Sequence, residues 1–457
     1  MSTLIHGGTL VTGEGTAPVE CGALIMAGGR IEAVLDHWAP GQHYDGDIID
    51  ASGCVIMPGL VNSHCHGVTP GPLFPSAARA LSEEAWLGNL DRHLLAGTTT
   101  VLSLCGLATM EQVREADKRH AVNVRGATTH LPSAISAAQI ADGAGLSGRE
   151  EGIGVEQMLS EGAVAIGELG GGQTLGGGGQ DLVYLPAAIG RRTGVRVSQD
   201  EARRLKEAVL GRFVDATHYD FEEFAQAARE ARLADVIDLH DLAELIRSTV
   251  TPSVTPAIEG IRQGVHAAAR LGVPAIVHSA SATAAVLREL MVDPRARGAK
   301  VVAAHVNHTS HTPTEARELA ALGREHGWAG EASAFDLLDR RHTVKTREHW
   351  DLLLAEAGLV QIIGTDYGHH GQHDRLIAAV QDIAERGHRS LQDAVAMATS
   401  SVADLIPGIA PERGTLRRGL VADVVVADAR DFRRVRDVFV GGERVVAEGQ
   451  LAAGARR

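Results

Sequence analysis

Two histidines one residue apart, His64 and His66, follow directly on the apolar run Cys54-Val55-Ile56-Met57-Pro58-Gly59-Leu60-Val61. Side chains alternate across a strand, so residues i and i+2 point the same way and both imidazoles can close on one cation. A pure packing explanation requires two neighbouring buried imidazoles each to find its own partner, whereas metal binding accounts for the pair at once. Four more residues able to ligate a metal end apolar runs further along: Glu168 after Ala163-Val164-Ala165-Ile166, His278 after Ala275-Ile276-Val277, His305 after Val301-Val302-Ala303-Ala304, and Asp366 after Ile362-Ile363-Gly364. Any one of these alone reads as a hydrogen-bonded structural residue; their shared placement is the signal. A cation there would lower the pKa of a water and polarise a scissile bond, while a nearby carboxylate exchanges protons, a role that falls to Asp366.

A second group follows the same strand ends. Asn307, His308 and His311 come after His305, Glu331 closes the run Trp328-Ala329-Gly330, and His369, His370 and His373 come after Asp366. Asn307, His308, Glu331, His369 and His370 are the candidates for substrate contact; the histidines among these residues serve equally as outer partners of the ligands. Cys65, between the paired histidines, points by alternation into packing.

The elements that must position these residues are eight short apolar runs, at 54–61, 98–103, 122–128, 163–168, 275–278, 301–305, 328–332 and 360–366, alternating with helix-like sequence. That pattern predicts an α/β protein whose residues 54–407 form a (β/α)₈ barrel, with the ligands on its C-terminal rim. Short strands with glycine turns at 1–53 and 408–457 predict a small β-sandwich built from both termini. Roughly a hundred residues separate Glu168 from His278. A βα unit needs about 30, so an insertion is expected at about 173–258. It opens on a glycine cluster, Gly170 to Gly179, too irregular for a phosphate loop and read as a hinge or lid.

The 457 residues are 44% hydrophobic and 22% charged, the composition of a folded globular chain. A formal charge of −14 without a basic run argues against nucleic acid or an anionic membrane as partner and leaves a small-molecule substrate. Only 3% of residues are aromatic, so stacking surfaces are scarce. The four cysteines are scattered like reduced thiols. With neither a signal-like start nor an apolar run near the ~20 residues of a membrane helix, the expected location is cytoplasmic. A closed homo-oligomer is the expected assembly.

The stretch Pro58-Gly59-Leu60-Val61-Asn62-Ser63-His64-Cys65-His66, the strand-end histidines, Gly364-Thr365-Asp366 and the closing Gly414-Thr415-Leu416-Arg417-Arg418-Gly419-Leu420-Val421-Ala422-Asp423 together resemble the amidohydrolase superfamily over nearly the whole chain. The resemblance implies two divalent cations, zinc first and iron or manganese as alternatives. His64 and His66 would hold the more buried ion and His278 and His305 the second, with Asp366 binding metal and shuttling protons. The carboxylated lysine that often bridges the two ions has no counterpart, because none of the four lysines lies in that region. Glu168 stands there instead, and Gly167-Glu168-Leu169-Gly170 looks like the matching stretch of enamidase-type cyclic amide hydrolases; adenine deaminases also use a bridging glutamate. The implied activity is opening of a C–N bond in a small cyclic amide or imide by a metal-bridging hydroxide. The alternatives are an aminohydrolase acting on a purine-like or other nitrogen heterocycle, and a scaffold that kept the barrel without chemistry.

Overall fold

The computed structural model describes residues 2–39, 42–177, 179–215, 217–334, 347–366 and 376–457. Eight parallel strands run in chain order around one sheet: Leu60–Cys65, Thr98–Ser103, Asn123–Thr128, Ala165–Leu169, Ala275–His278, Val301–Ala304, Ala329–Ser333 and Ile362–Gly364. The last strand meets the first. The backbone N–H groups of Thr365 and Asp366 both donate to the carbonyl of His64, at 3.3 and 3.0 Å. The Asn62 side chain donates to Thr365 Oγ1 at 2.7 Å and accepts from the Thr365 N–H at 3.2 Å. This clasp closes the barrel at the point where His64 and Asp366 leave it.

Alternation within each strand explains why the barrel is filled rather than hollow. Val61, Leu102, Ala127, Ala165, Ile276, Val302, Ala329 and Ile362, one from each strand, share a single buried cluster with Val402 of the helix Ser400–Leu405 and with Ile406, which caps its C-terminus. Their neighbours Val101, Val124, Ile166, Val277, Val301 and Ile363 face outward against the helical ring. A strand buried on both faces has no polar side, so these segments read as unbroken apolar runs. The helices of the ring start where their sequences cap them. Ser82 accepts from the Ala85 N–H ahead of Glu83–Leu95, and Thr109 with Gln112 and Thr312 with Glu315 form capping boxes ahead of Met110–Arg119 and Pro313–Glu325.

The apolar run 54–61, expected as one barrel strand, is two. Cys54–Pro58 belongs to the small terminal sheet, pairing with Val424–Asp428 in the register Met57↔Val425 and with Ser2–Leu10 through Thr9↔Val55. The chain then crosses at Gly59, whose N–H donates to Asp423 O at 2.9 Å. Any Cβ there would lie 2.2 Å from Thr99 Oγ1, so only glycine fits. Both halves are buried on two faces, and composition alone carries no mark of the break. The terminal sheet runs Gln450–Leu451, Glu443–Ala447, Val435–Val440, Val424–Asp428, Cys54–Pro58, Ser2–Leu10, Val19–Ala27, Arg30–Leu35, with Asp47–Asp50 also on Ser2–Leu10. It forms a β-sandwich around Ile5, Leu10, Leu24, Ile56, Val424, Val426 and Phe439, all buried.

After the fourth barrel strand the chain leaves the barrel for a helical cap: Leu185–Thr193, Gln199–Leu210, Phe221–Glu230 and Leu239–Val250. The cap has its own core, which includes Leu185, Ile189, Leu205, Phe224, Leu242 and Ile246. Val254–Leu271 then rejoins the ring, with Ile261 and Val265 packed in one cluster with Ile166 and Leu169. Among the described residues no helix is long and apolar enough to cross a membrane.

Candidate metal centre

Five different strand ends converge on the C-terminal mouth of the barrel. His64 and His66 leave the first strand, Glu168 the fourth, His278 the fifth, His305 the sixth and Asp366 the eighth. Two of these residues sit in the left-handed backbone region, His305 at φ +58° and Asp366 at φ +53°. That conformation is uncommon outside glycine and ends the strand abruptly, turning each side chain across the mouth instead of along the sheet.

Glu168 is the hub. One carboxylate oxygen, Oε2, lies 3.8 Å from His64 Nε2 and 3.7 Å from His66 Nε2, while Oε1 lies 2.6 Å from His278 Nδ1 and 3.6 Å from His305 Nε2. Asp366 faces the same group from the other side, with Oδ1 at 3.7 Å from His64 Nε2 and 3.3 Å from His66 Nε2, and Oδ2 at 3.9 Å from His305 Nε2. Most of these separations are too long for hydrogen bonds. They match ligands sharing an ion, since donors about 2.0–2.2 Å from a tetrahedral centre lie roughly 3.3–3.6 Å apart. Ligand atoms lie within 4.8 Å of one another in three sets: His64, His66 and Glu168; Glu168, His278 and His305; His64, His305 and Asp366. His64 Nε2 and His278 Nε2 are buried with no hydrogen-bond partner among the described residues, a cost a protein rarely carries without a ligand to meet it. This donor set of imidazoles and carboxylates fits divalent cations.

Burial opposes charge on His64, yet the Glu331 carboxylate beside it raises its pKa to about 9; His66 also rises to about 9 against burial through its hydrogen bond to Asp366. Burial would neutralise Glu168, but His278 leads the neighbours that hold it well below the usual carboxylate range. Burial dominates at His278 itself and lowers its pKa. Protons and cations therefore compete for the same nitrogens, as they must where ligands bind metal in deprotonated form.

Residues 55–445 match the model of the amidohydrolase family. The chain belongs to the amidohydrolase family. Along the amidohydrolase, 91 residues are 38% identical to 5-methylthioadenosine/S-adenosylhomocysteine deaminase 1 of Syntrophus aciditrophicus (strain SB), a match that spans 20% of each chain. Among solved structures it is similar to L-hydantoinase (dihydropyrimidinase) from Arthrobacter aurescens, with TM-score 0.57 and 14% identity over 99% of this chain and 98% of that one. It is also similar to beta-aspartyl dipeptidase from Fervidobacterium islandicum AW-1, with TM-score 0.56 and 14% identity over 99% and 98%. These identities carry the fold alone. The family match makes this amidohydrolase a hydrolase of C–N bonds acting on a small molecule, with His, Glu and Asp groups able to hold metal.

Around the ligands the amidohydrolase places its second group unevenly. Glu331 is fully buried, and both its oxygens are engaged: Oε1 lies 2.9 Å from His64 Nδ1 and Oε2 accepts from Ser63 Oγ at 2.5 Å. It braces a candidate ligand, fixing which nitrogen of His64 faces the mouth. Asn307 spends its carboxamide on the backbone of Ser333, donating to the carbonyl at 2.9 Å and accepting from the N–H at 2.7 Å. The His308 ring lies 5.4 Å from that of His278, with Nδ1 on Ser310 Oγ at 2.8 Å. His369, His370 and His373 lie outside the described residues. Cys65 is buried in the outer core. Three neighbours of the site had little sequence signal. Ser63 adjoins His64 and braces Glu331, Cys105 Sγ lies 3.7 Å from His66 Nδ1, and Gly177 of the cap loop approaches so closely that its Cβ would be 3.9 Å from His278 Nε2.

Glu331→Gln tests the brace. An amide cannot accept from both Ser63 and His64 as a carboxylate does, so metal affinity is expected to fall by roughly 10–100-fold with the fold intact. Competitive chelator titration alongside a melting curve reads both; unchanged affinity would reduce Glu331 to packing.

Proposed function

We propose that this amidohydrolase opens a C–N bond in a small cyclic amide or imide, in the manner of the enamidase-type cyclic amide hydrolases, with two divalent cations held by His64, His66, Glu168, His278, His305 and Asp366. The observation that carries the reading is the division of labour in Glu168, whose Oε2 addresses the His64/His66 pair and whose Oε1 addresses His278 and His305. A single carboxylate facing two imidazole pairs could hold both cations without a modified lysine. Zinc is the expected cation, with iron or manganese as alternatives, and a closed homo-oligomer the expected assembly.

When bound, the cations supply Lewis acidity, which polarises the amide carbonyl and makes a water acidic near neutral pH. The residues do the rest. Asp366, whose side chain is 15% exposed where the other ligands are nearly inaccessible, takes a proton from the attacking water and returns it to the departing ring nitrogen. Glu331 and Ser63 hold His64 in place, and Gly177 of the cap loop lies beside His278 Nε2. His308 and the segment bearing His369 and His370 are candidates to contact the substrate. The 38% stretch shared with the deaminase keeps an aminohydrolase acting on a nitrogen heterocycle as the second reading.

A panel of lactams, cyclic imides, hydantoin-like rings and aminopurines, assayed before and after chelation together with elemental analysis, separates these readings. Ring opening that disappears with chelator and returns with divalent ion is the expected result. Ammonia released from an aminopurine would favour the second reading, and metal-free protein without metal-restored activity would end both.

A further inference from the structure

The cap contributes a buried cation whose terminal fork is turned toward the barrel loops. Arg203, on the helix Gln199–Leu210, is 9% exposed. Its Nε donates to Asp181 Oδ2 at 3.0 Å and its Nη1 to Thr309 Oγ1 at 3.3 Å, but Nη2 is buried with no hydrogen-bond partner among the described residues. Asp181 is fully buried and is shared, for Lys206 Nζ lies 2.8 Å from its Oδ1 and donates to the Gly176 carbonyl at 2.5 Å. Glu207 flanks this cluster, and burial raises its pKa above the usual carboxylate value. Beside Asp181, Gln180 is 1% exposed, and neither its carboxamide oxygen nor its nitrogen has a partner among the described residues.

These groups border the metal centre through two short links. The backbone N–H groups of Gln180 and Asp181 both donate to the carbonyl of Gly177, the residue that flanks His278 Nε2. On the other side, Thr309 follows His308, whose ring packs on His278. Nη1 and Nη2 are the paired donors at the end of the planar guanidinium, so the unpartnered Nη2 adjoins the nitrogen that reaches Thr309. An unpaired buried guanidinium N–H costs more than a neutral donor, and a planar carboxylate is the partner its fork geometry matches.

We propose that the substrate carries a carboxylate on the ring or its substituent, and that Arg203 Nη2, aided by the Gln180 carboxamide, receives it while Asp181 and Lys206 hold the guanidinium in position. This rests on the C–N hydrolase reading of the same site and narrows its substrate class to ring acids.

The test uses the metal-loaded full chain with hydantoin-5-acetate and the uncharged hydantoin-5-acetamide, following both turnover and calorimetric binding. The acid should bind the native protein more tightly than the amide. Arg203→Met should raise KM and Kd for the acid by about 10–100-fold, the range for losing a hydrogen bond between charged groups, with kcat changed far less and the amide unaffected. Arg203→Lys should recover part of the loss, and Gln180→Met, which leaves the Asp181 anchor intact, should show a smaller loss for the acid only. If Arg203→Met lowers the melting temperature and the Gln180→Met protein still treats acid and amide as the native one does, Arg203 is a cap anchor and the proposal is overturned. Tighter binding of the acid without ring opening of either compound would keep this subsite and overturn the ring-opening reading instead.

Discussion

Replacing Asp366 by asparagine is expected to lower kcat by about 10²–10⁴-fold, the usual contribution of a positioned proton carrier. The reason lies in access. Among the six candidate ligands the Asp366 side chain is 15% exposed, whereas those of His64, His66, Glu168, His278 and His305 are 0, 2, 3, 6 and 1% exposed. It is thus the most accessible of the candidate ligands while still facing the imidazoles. Asparagine keeps the size and one oxygen but cannot accept and return a proton, so metal content should fall much less than turnover. Steady-state kinetics with elemental analysis of the same preparation checks this. A variant that binds metal and keeps most of its kcat would place the proton carrier elsewhere.

Glu168→Ala is expected to empty the centre. Each Glu168 oxygen lies against a different imidazole pair, so its loss leaves four buried imidazoles with Asp366 as the remaining carboxylate among the candidate ligands. Outer partners of metal ligands typically change affinity by roughly 10–100-fold, and loss of a shared inner carboxylate should exceed that range. The expected readout is metal content reduced from near two ions per chain to at most one, with activity not restored by micromolar metal. Two ions retained with ordinary affinity would show that Glu168 does not bridge.

Much of this site was legible before any coordinates. Positions 61, 102, 127, 165, 276, 302, 329 and 362 fill one layer of the barrel. Two residues on, the same parity reaches His278 and Glu331, so strand alternation alone forecasts that these two face inward. The strand-end positions of Glu168, His278 and His305 were equally plain, because each follows an uninterrupted apolar run. What Glu331 does was not plain. A glutamate ending a strand reads the same whether it meets substrate or a neighbouring histidine, and only closure of the barrel, which leaves a single strand between the seventh and the first, brings it 2.9 Å from His64. Likewise the run 54–61 gave no hint of its division at Gly59, since a strand of the terminal sheet and a strand of the barrel are both buried on two faces here.

By itself the sequence determined the class of fold and the residue types that end its barrel strands. Those properties are local: they depend on two-residue alternation, on the helix caps and on residue type at the end of each apolar run. Tertiary structure alone decided that Glu168 divides its oxygens between two imidazole pairs, that Ser63 and Glu331 brace His64, and that the cap loop brings Gly177 beside His278. Those are contacts between residues separated by tens to hundreds of positions, fixed by the register in which eight strands close and by where an inserted helical core comes to rest, and no local pattern encodes either.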